Sequence, residues 1–155
     1  MTNILESVPG RRPVGRMSRL AAAALLICCG LSFPSRSEDA PLEIKGAKTV
    51  DCHGVVDLIE TTPGLTVIDN RTQADFDSGH IEGAIRILDT DMTQELLAGA
   101  VKSKESPVVF YCNGVKCGRA AHATAKALEW GYAKVYYYAE GILDWKANQL
   151  PLVTQ

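Results

Sequence analysis

The sequence predicts an α/β fold: a mostly parallel central sheet of about five strands with helices on both faces. Three observations predict it. The runs "LTVID" (65–69) and "VVFYC" (108–112) are continuously apolar, as strands buried on both faces are. Between such runs stand stretches with helical spacing, such as "GRAAHATAKALEWG" (118–131). Strands and helices alternate along the chain without internal repeat, which stacks helices on a parallel sheet.

Taken in order, "AKTV" (47–50) is a short strand, and Asp51 is placed to cap a helix "CHGVVDLIE" with an apolar side at Val55, Val56, Leu58 and Ile59. "TTPG" is a turn before the strand "LTVID". A short helix at Gln73 to Phe76 stops at Gly79, and a strand follows near Ala84 to Ile87. A helix around Met92 to Val101 leads to the second buried strand. The alanine-rich helix after it places Ala121, Ala125 and Leu128 for packing and ends at Gly131. "KVYYY" is a strand, and "GILDWKAN" a last short helix.

The front of the chain differs. Arginines at 11, 12, 16 and 19 precede an uncharged run of 15 residues, Leu20 to Pro34, and then small residues at Ser35 and Ser37. This is the layout of a secretory signal peptide. Residues 1–37 are read as that signal, with cleavage near Ser37, 38–46 as a flexible lead-in, and 47–155 as the folded domain. A membrane-spanning helix needs about 20 apolar residues, so a membrane tether is the alternative and a periplasmic or secreted domain the expectation. Residues 1–37 hold five Arg and one Glu, leaving 11 basic and 17 acidic residues and a net charge of −6 beyond them. With no basic patch interleaved with aromatics, nucleic acid is excluded as the expected partner. Three cysteines remain there, Cys52, Cys112 and Cys117, an odd number for an oxidising compartment.

Cys112 ends a predicted central strand, at the edge of a parallel sheet where ligands bind. The loop Asn113, Gly114, Val115, Lys116, Cys117, Gly118 supplies successive backbone N–H groups, and the helix opening at Arg119 adds free donors and a positive dipole end. Gly114 and Gly118 permit positive φ in such a cradle. These groups, with Lys116 and Arg119, would lower the thiol pKa of Cys112 and hold an anion beside it. The plainer reading of Cys112 is a small buried residue at a strand end. Cys117 reads first as a packed or incidental loop residue, with a resolving thiol and a metal ligand as alternatives. No second pair of cysteines or histidines supports a metal. Cys52 reads as core.

Two stretches resemble the rhodanese family. "VIDNRTQADFDSGHIEGAIRI" (67–87) is similar to its first signature through Asp69, Arg71, Asp75-Phe76 and Gly79-His80-Ile81 with Gly83-Ala84. "VVFYCNGVKCGRAAHATAKALEWGYAKVYYYAEGILDWKANQLPL" (108–152) resembles its catalytic strand and loop, its Gly-Tyr turn at Gly131-Tyr132, and its closing motif at Gly141 and Trp145. The resemblance implies a rhodanese-like fold and sulfur transfer. Cys112 would take the outer sulfur of a small anionic donor such as thiosulfate, hold it as a persulfide and pass it to a thiol or cyanide. It implies no cofactor and no metal. In the first signature, Arg71 and Asp75 stand at i and i+4 and are expected to pair, and His80 ties a turn to the sheet rather than acting as a base.

Six residues separate Cys112 from Arg119, a longer loop than common single-domain members or the related cell-cycle phosphatases have. A wider cradle would admit a larger oxyanion, as in a phosphatase or arsenate reductase. Alternatively the added length brings Cys117 back over Cys112, as in a thiol-disulfide or sulfur-carrier module. A non-catalytic binding domain fits an intact Cys112 less well. Oligomeric state is not legible in the sequence.

Overall fold

The alternation of apolar runs and helical stretches becomes a parallel sheet in the computed structural model, which describes residues 39–155. The residues read as a signal peptide lie outside the described residues. In chain order the elements are β1 (Lys48–Thr49), α1 (Cys52–Thr61), β2 (Thr66–Asp69), α2 (Gln73–Asp77), β3 (Ile85–Arg86), α3 (Gln94–Ala100), β4 (Val108–Tyr111), α4 (Arg119–Glu129), β5 (Val135–Tyr138) and α5 (Gly141–Ala147). The strands lie in the order β1-β5-β4-β2-β3, and every pairing is parallel.

Strand β4 is central, and none of its four residues is exposed. Its side chains alternate between two cores, as a period of two requires. Val108 and Phe110 face one core with Leu97 of α3 and Ala120, Ala123 and Ala127 of α4. Val109 and Tyr111 face the other, with Cys52 and Val55 of α1 and Ile142 and Trp145 of α5. Each fully buried large apolar side chain contributes about 1.5–3 kcal/mol. The strand that ends at Cys112 is therefore among the best anchored parts of the chain.

Three helices open on side-chain caps. Asp51 accepts from the Gly54 N–H at 2.8 Å, Thr72 from Asp75 at 3.3 Å and Thr93 from Leu96 at 3.2 Å. Because Thr93 caps it, α3 starts at Gln94 rather than Met92. Helix α4 opens on Gly118, which has no side chain to offer, so its first N–H groups keep their donors for something else.

Several expectations are corrected. Of the packing residues expected on α4, Ala121 is buried and Leu128 packs against the core, but Ala125 is exposed; Ala120, Ala123, Thr124 and Ala127 complete the buried face. In a helix with alanine at nearly half its positions, two neighbouring stripes look alike. Ile59 of α1 is likewise exposed. Residues 39–46, read as a flexible lead-in, instead make defined contacts. The Ala40 N–H donates to the Val115 carbonyl at 2.6 Å, and the Tyr137 hydroxyl to the Pro41 carbonyl at 2.9 Å.

Candidate active site

The chain leaves β2 and β4 at their carboxyl ends in opposite directions, β2 leading outward to β3 and β4 back to β5. That is a topological switch point, where an open parallel sheet leaves a crevice. Asn70 and Arg71 follow β2 there, and Cys112 follows β4. The Asn70 N–H donates to the Tyr111 carbonyl at 2.9 Å, which ties the two strand ends together.

Cys112 is 2% exposed. Its carbonyl accepts from the Ile142 N–H at 2.9 Å, and the Asn113 carbonyl from the Leu143 N–H at 3.1 Å. The start of α5 is thus seated on the backbone of the cysteine loop. Gly141 makes that approach possible: it sits at φ 58°, and a Cβ there would collide with the Cys112 carbonyl oxygen. Gly114, at φ 156°, is similarly close, since its Cβ would lie 3.1 Å from the Glu140 carbonyl oxygen. Gly118 does not use the freedom expected of it, because it is right-handed at φ −71°.

The loop closes on itself. The Cys117 N–H donates to the Gly114 carbonyl at 2.8 Å, and Cys117 forms a disulfide with Cys112 across a Cα separation of 6.3 Å. The reading of Cys117 as an incidental residue is corrected: the turn at Gly114 carries its sulfur onto Cys112. Among the described residues, the N–H groups of Gly114, Val115, Lys116 and Gly118 donate to no backbone acceptor. Lys116 is not gathered at the thiol. It is 84% exposed and faces Asp39 at 3.4 Å. Beside the loop lies a cavity of about 410 Å³ lined by Asn113, Gly114, Val115, Lys116, Cys117 and Leu143.

The first signature divides into a support and a rim. Asp69 is fully buried and accepts from the Arg71 N–H at 2.9 Å, from Arg71 Nη2 at 2.6 Å and from the Tyr111 hydroxyl at 2.6 Å. Arg71 Nη2 also donates to the Gly79 carbonyl at 2.8 Å. Burial opposes the guanidinium charge, but the Asp69 carboxylate more than offsets it and the Arg71 pKa ends above its ordinary value. Burial, and then Asp69, push the Tyr111 phenol well up, so it remains a neutral donor.

The expected pairing of Arg71 with Asp75 is corrected. Arg71 precedes the cap of α2, so the two do not share a helix face, and Asp69 holds the guanidinium. Asp75 instead bonds within its own capping turn and senses the cysteine loop through its charge. Its carboxylate accepts from the Thr72 hydroxyl at 2.8 Å. That contact first, then the Asn113 side chain and the charges of Arg71 and Arg119, hold its pKa below the usual carboxylate range. Asp75 is the site residue whose place the sequence did not disclose. His80 is buried, its ring stacked on Phe76 at 3.7 Å with Nδ1 2.9 Å from the Phe76 carbonyl. Its backbone pairs with Val153 in both directions, so the tie is to the C-terminal segment. Among the described residues, no group of three His, Cys, Asp or Glu is arranged to hold a metal ion.

A family model described as a rhodanese-like domain matches residues 53–148. This chain belongs to the rhodanese-like family. Its sequence is 35% identical over 154 residues to the uncharacterized protein YibN of Escherichia coli (strain K12), covering 99% of this chain and 98% of that one. The BH2092 protein of Bacillus halodurans superposes with a TM-score of 0.62 at 25% identity, over 71% of this chain and 79% of that one. The thiosulfate sulfurtransferase of Pseudomonas aeruginosa superposes with a TM-score of 0.61 at 15% identity, over 71% of this chain but 21% of that one, a likeness of fold alone. In this rhodanese-like chain the two motifs meet physically where the Tyr111 hydroxyl donates to Asp69.

Proposed function

We propose that this rhodanese-like protein is a sulfurtransferase that carries a sulfane sulfur on Cys112. The observation that carries the reading is the position of Cys112: at the end of the central strand, at the switch point, under a loop with unengaged N–H groups. The Cys112 thiolate would attack the outer sulfur of a thiosulfate-like donor, expelling sulfite, and the persulfide anion would rest under those donors. A thiol or cyanide would then accept the sulfur. Sulfur transfer in the thiosulfate sulfurtransferase of similar fold is consistent with this reading.

A phosphatase or arsenate reductase has less support. Phosphate-ester cleavage needs a general acid for the leaving group, and the carboxyl beside the loop is Asp75, whose lowered pKa keeps it ionised at neutral pH. A thiol-disulfide module is the second reading, favoured by the Cys112–Cys117 disulfide. Export is also part of the proposal, since residues 1–37 have the layout of a secretory signal peptide. Recovery of the chain only from the cytoplasm on fractionation would count against export.

The deciding test is intact mass of the reduced Cys117→Ser chain, which has no second thiol beside Cys112, after addition of thiosulfate. The expected result is uptake of the sulfane sulfur that is abolished in Cys112→Ser. An equal gain in both proteins would remove Cys112 as the carrier.

A further inference from the structure

We infer that Cys117 is a resolving thiol, so that the protein reduces the sulfane sulfur it accepts, releases it as hydrosulfide and is recycled by an external dithiol. The inference rests on Cys112 being the sulfur carrier. Its physical basis is the fixed shape of the loop. The Gly114–Cys117 turn bends the chain, the start of α5 holds Asn113 from one side, and Ala40 holds Val115 from another. In that shape Cys117 Sγ is bonded to Cys112 Sγ. A persulfide keeps its inner sulfur at Cys112, within reach of Cys117.

The chemistry balances without a further oxidant. Thiosulfate gives its outer sulfur to the Cys112 thiolate, and sulfite leaves. The Cys117 thiol then attacks Cys112 Sγ. The Cys112–Cys117 bond forms, the persulfide bond breaks, and the outer sulfur departs as hydrosulfide with the proton from Cys117. The two thiols supply the two electrons that reduce the sulfane sulfur to sulfide. A dithiol reductant restores them by two successive exchanges and leaves as its own disulfide.

The structure also gives the recycling step a direction. Cys112 is nearly inaccessible, whereas Cys117 is part-exposed on the wall of the cavity beside Val115 and Leu143. An incoming thiolate therefore meets Cys117 Sγ first. The sulfur expelled is then that of Cys112, the partner in the disulfide. Each turnover thus returns the nucleophile in its reactive form.

Reduced full-length protein, freed of reductant and mixed with thiosulfate, tests this by intact mass and sulfide trapping. The native chain is expected to release sulfide and end as the Cys112–Cys117 disulfide. Cys117→Ser and Cys117→Ala are expected to stop at the Cys112 persulfide and to release sulfide only when a dithiol is added. If the native chain holds its persulfide as long as the two variants do, or if the variants release sulfide as fast as it does, the inference is overturned and Cys112 stands as carrier. If native chain and variants alike take up no sulfur, the sulfur-carrier reading falls and this inference with it.

Discussion

Tyr111 donates its phenolic hydrogen to Asp69 Oδ2 at 2.6 Å, and the two residues are register partners on adjacent parallel strands. Tyr111 immediately precedes Cys112, so a buried carboxylate from one motif fixes the strand end that presents the thiol of the other. Arg71, 1% exposed, neutralises that carboxylate and passes the link on to Gly79. The arrangement is a joint between the two motifs more than part of the chemistry.

Removing the cation should therefore cost more than removing the phenol. Arg71→Met leaves Asp69 buried without its counter-charge, and loss of one partner of a buried pair costs about 3–5 kcal/mol. Tyr111→Phe removes one hydrogen bond to a charged group, about 1.5–3 kcal/mol. Urea unfolding of both variants checks the order. Equal, small losses would show that the joint is not what holds these strand ends.

Gly141→Ala should damage the site beyond its backbone strain. Its Cβ would run into the Cys112 carbonyl and would lie 3.0 Å from the Gly114 nitrogen. Gly64 is the control, since it has φ 77° with nothing within 4 Å of its Cβ. There alanine should cost only the left-handed penalty of about 1–2 kcal/mol. The expected result is a larger stability loss for Gly141→Ala together with slowed sulfur uptake on Cys112, measured by unfolding and intact mass. Equal losses with normal uptake would mean the α5 contact does not shape the loop.

The parts of the fold legible in the sequence are those with strong local signals. Strands β2 and β4 are unbroken apolar runs, and Asp51 announces α1 by its side chain. On α4, Ala121 and Leu128 are legible as packing positions but Ala125 is not, because alanine gives little contrast between faces. Arg71 and Asp75 were matched by spacing, although spacing has that meaning only inside a helix and Arg71 stands before one. Cys117 lies in a loop without periodicity, and its approach to Cys112 depends on Gly114 and on contacts from Ala40 and α5. The hydrogen bond from Tyr111 to Asp69 is a tertiary contact between adjacent strand ends, for which no local pattern exists.

Asp75 gives the site a pH signature. Its pKa is depressed in the folded chain, so its contribution is present above the unfolded value of about 3.9 and is lost as pH falls through the lower folded value. Asp75→Asn should be less stable than the native chain by a constant margin near neutrality, and the margin should shrink in acid below about pH 4. Denaturation at several pH values reads this. A margin that widens on acidification would contradict the assigned direction.

The three cysteines of the described domain should separate by reactivity. Cys52 is 2% exposed on α1, and burial first, then the neighbouring Asp144, pushes its thiol pKa up. Both effects suppress the thiolate that reacts with alkylating agents. Cys117 is part-exposed, whereas Cys112, at 2% exposed, is as buried as Cys52. Brief alkylation of reduced, folded protein at neutral pH should therefore label Cys117 and spare Cys52, as peptide mass mapping would show. Labelling of all three should need denaturant. If Cys52 reacts as fast as Cys117 in the native chain, α1 does not shield it, and the packing of Cys52 against Tyr138 and Ile142 in the core beneath the cysteine loop is not stable in solution.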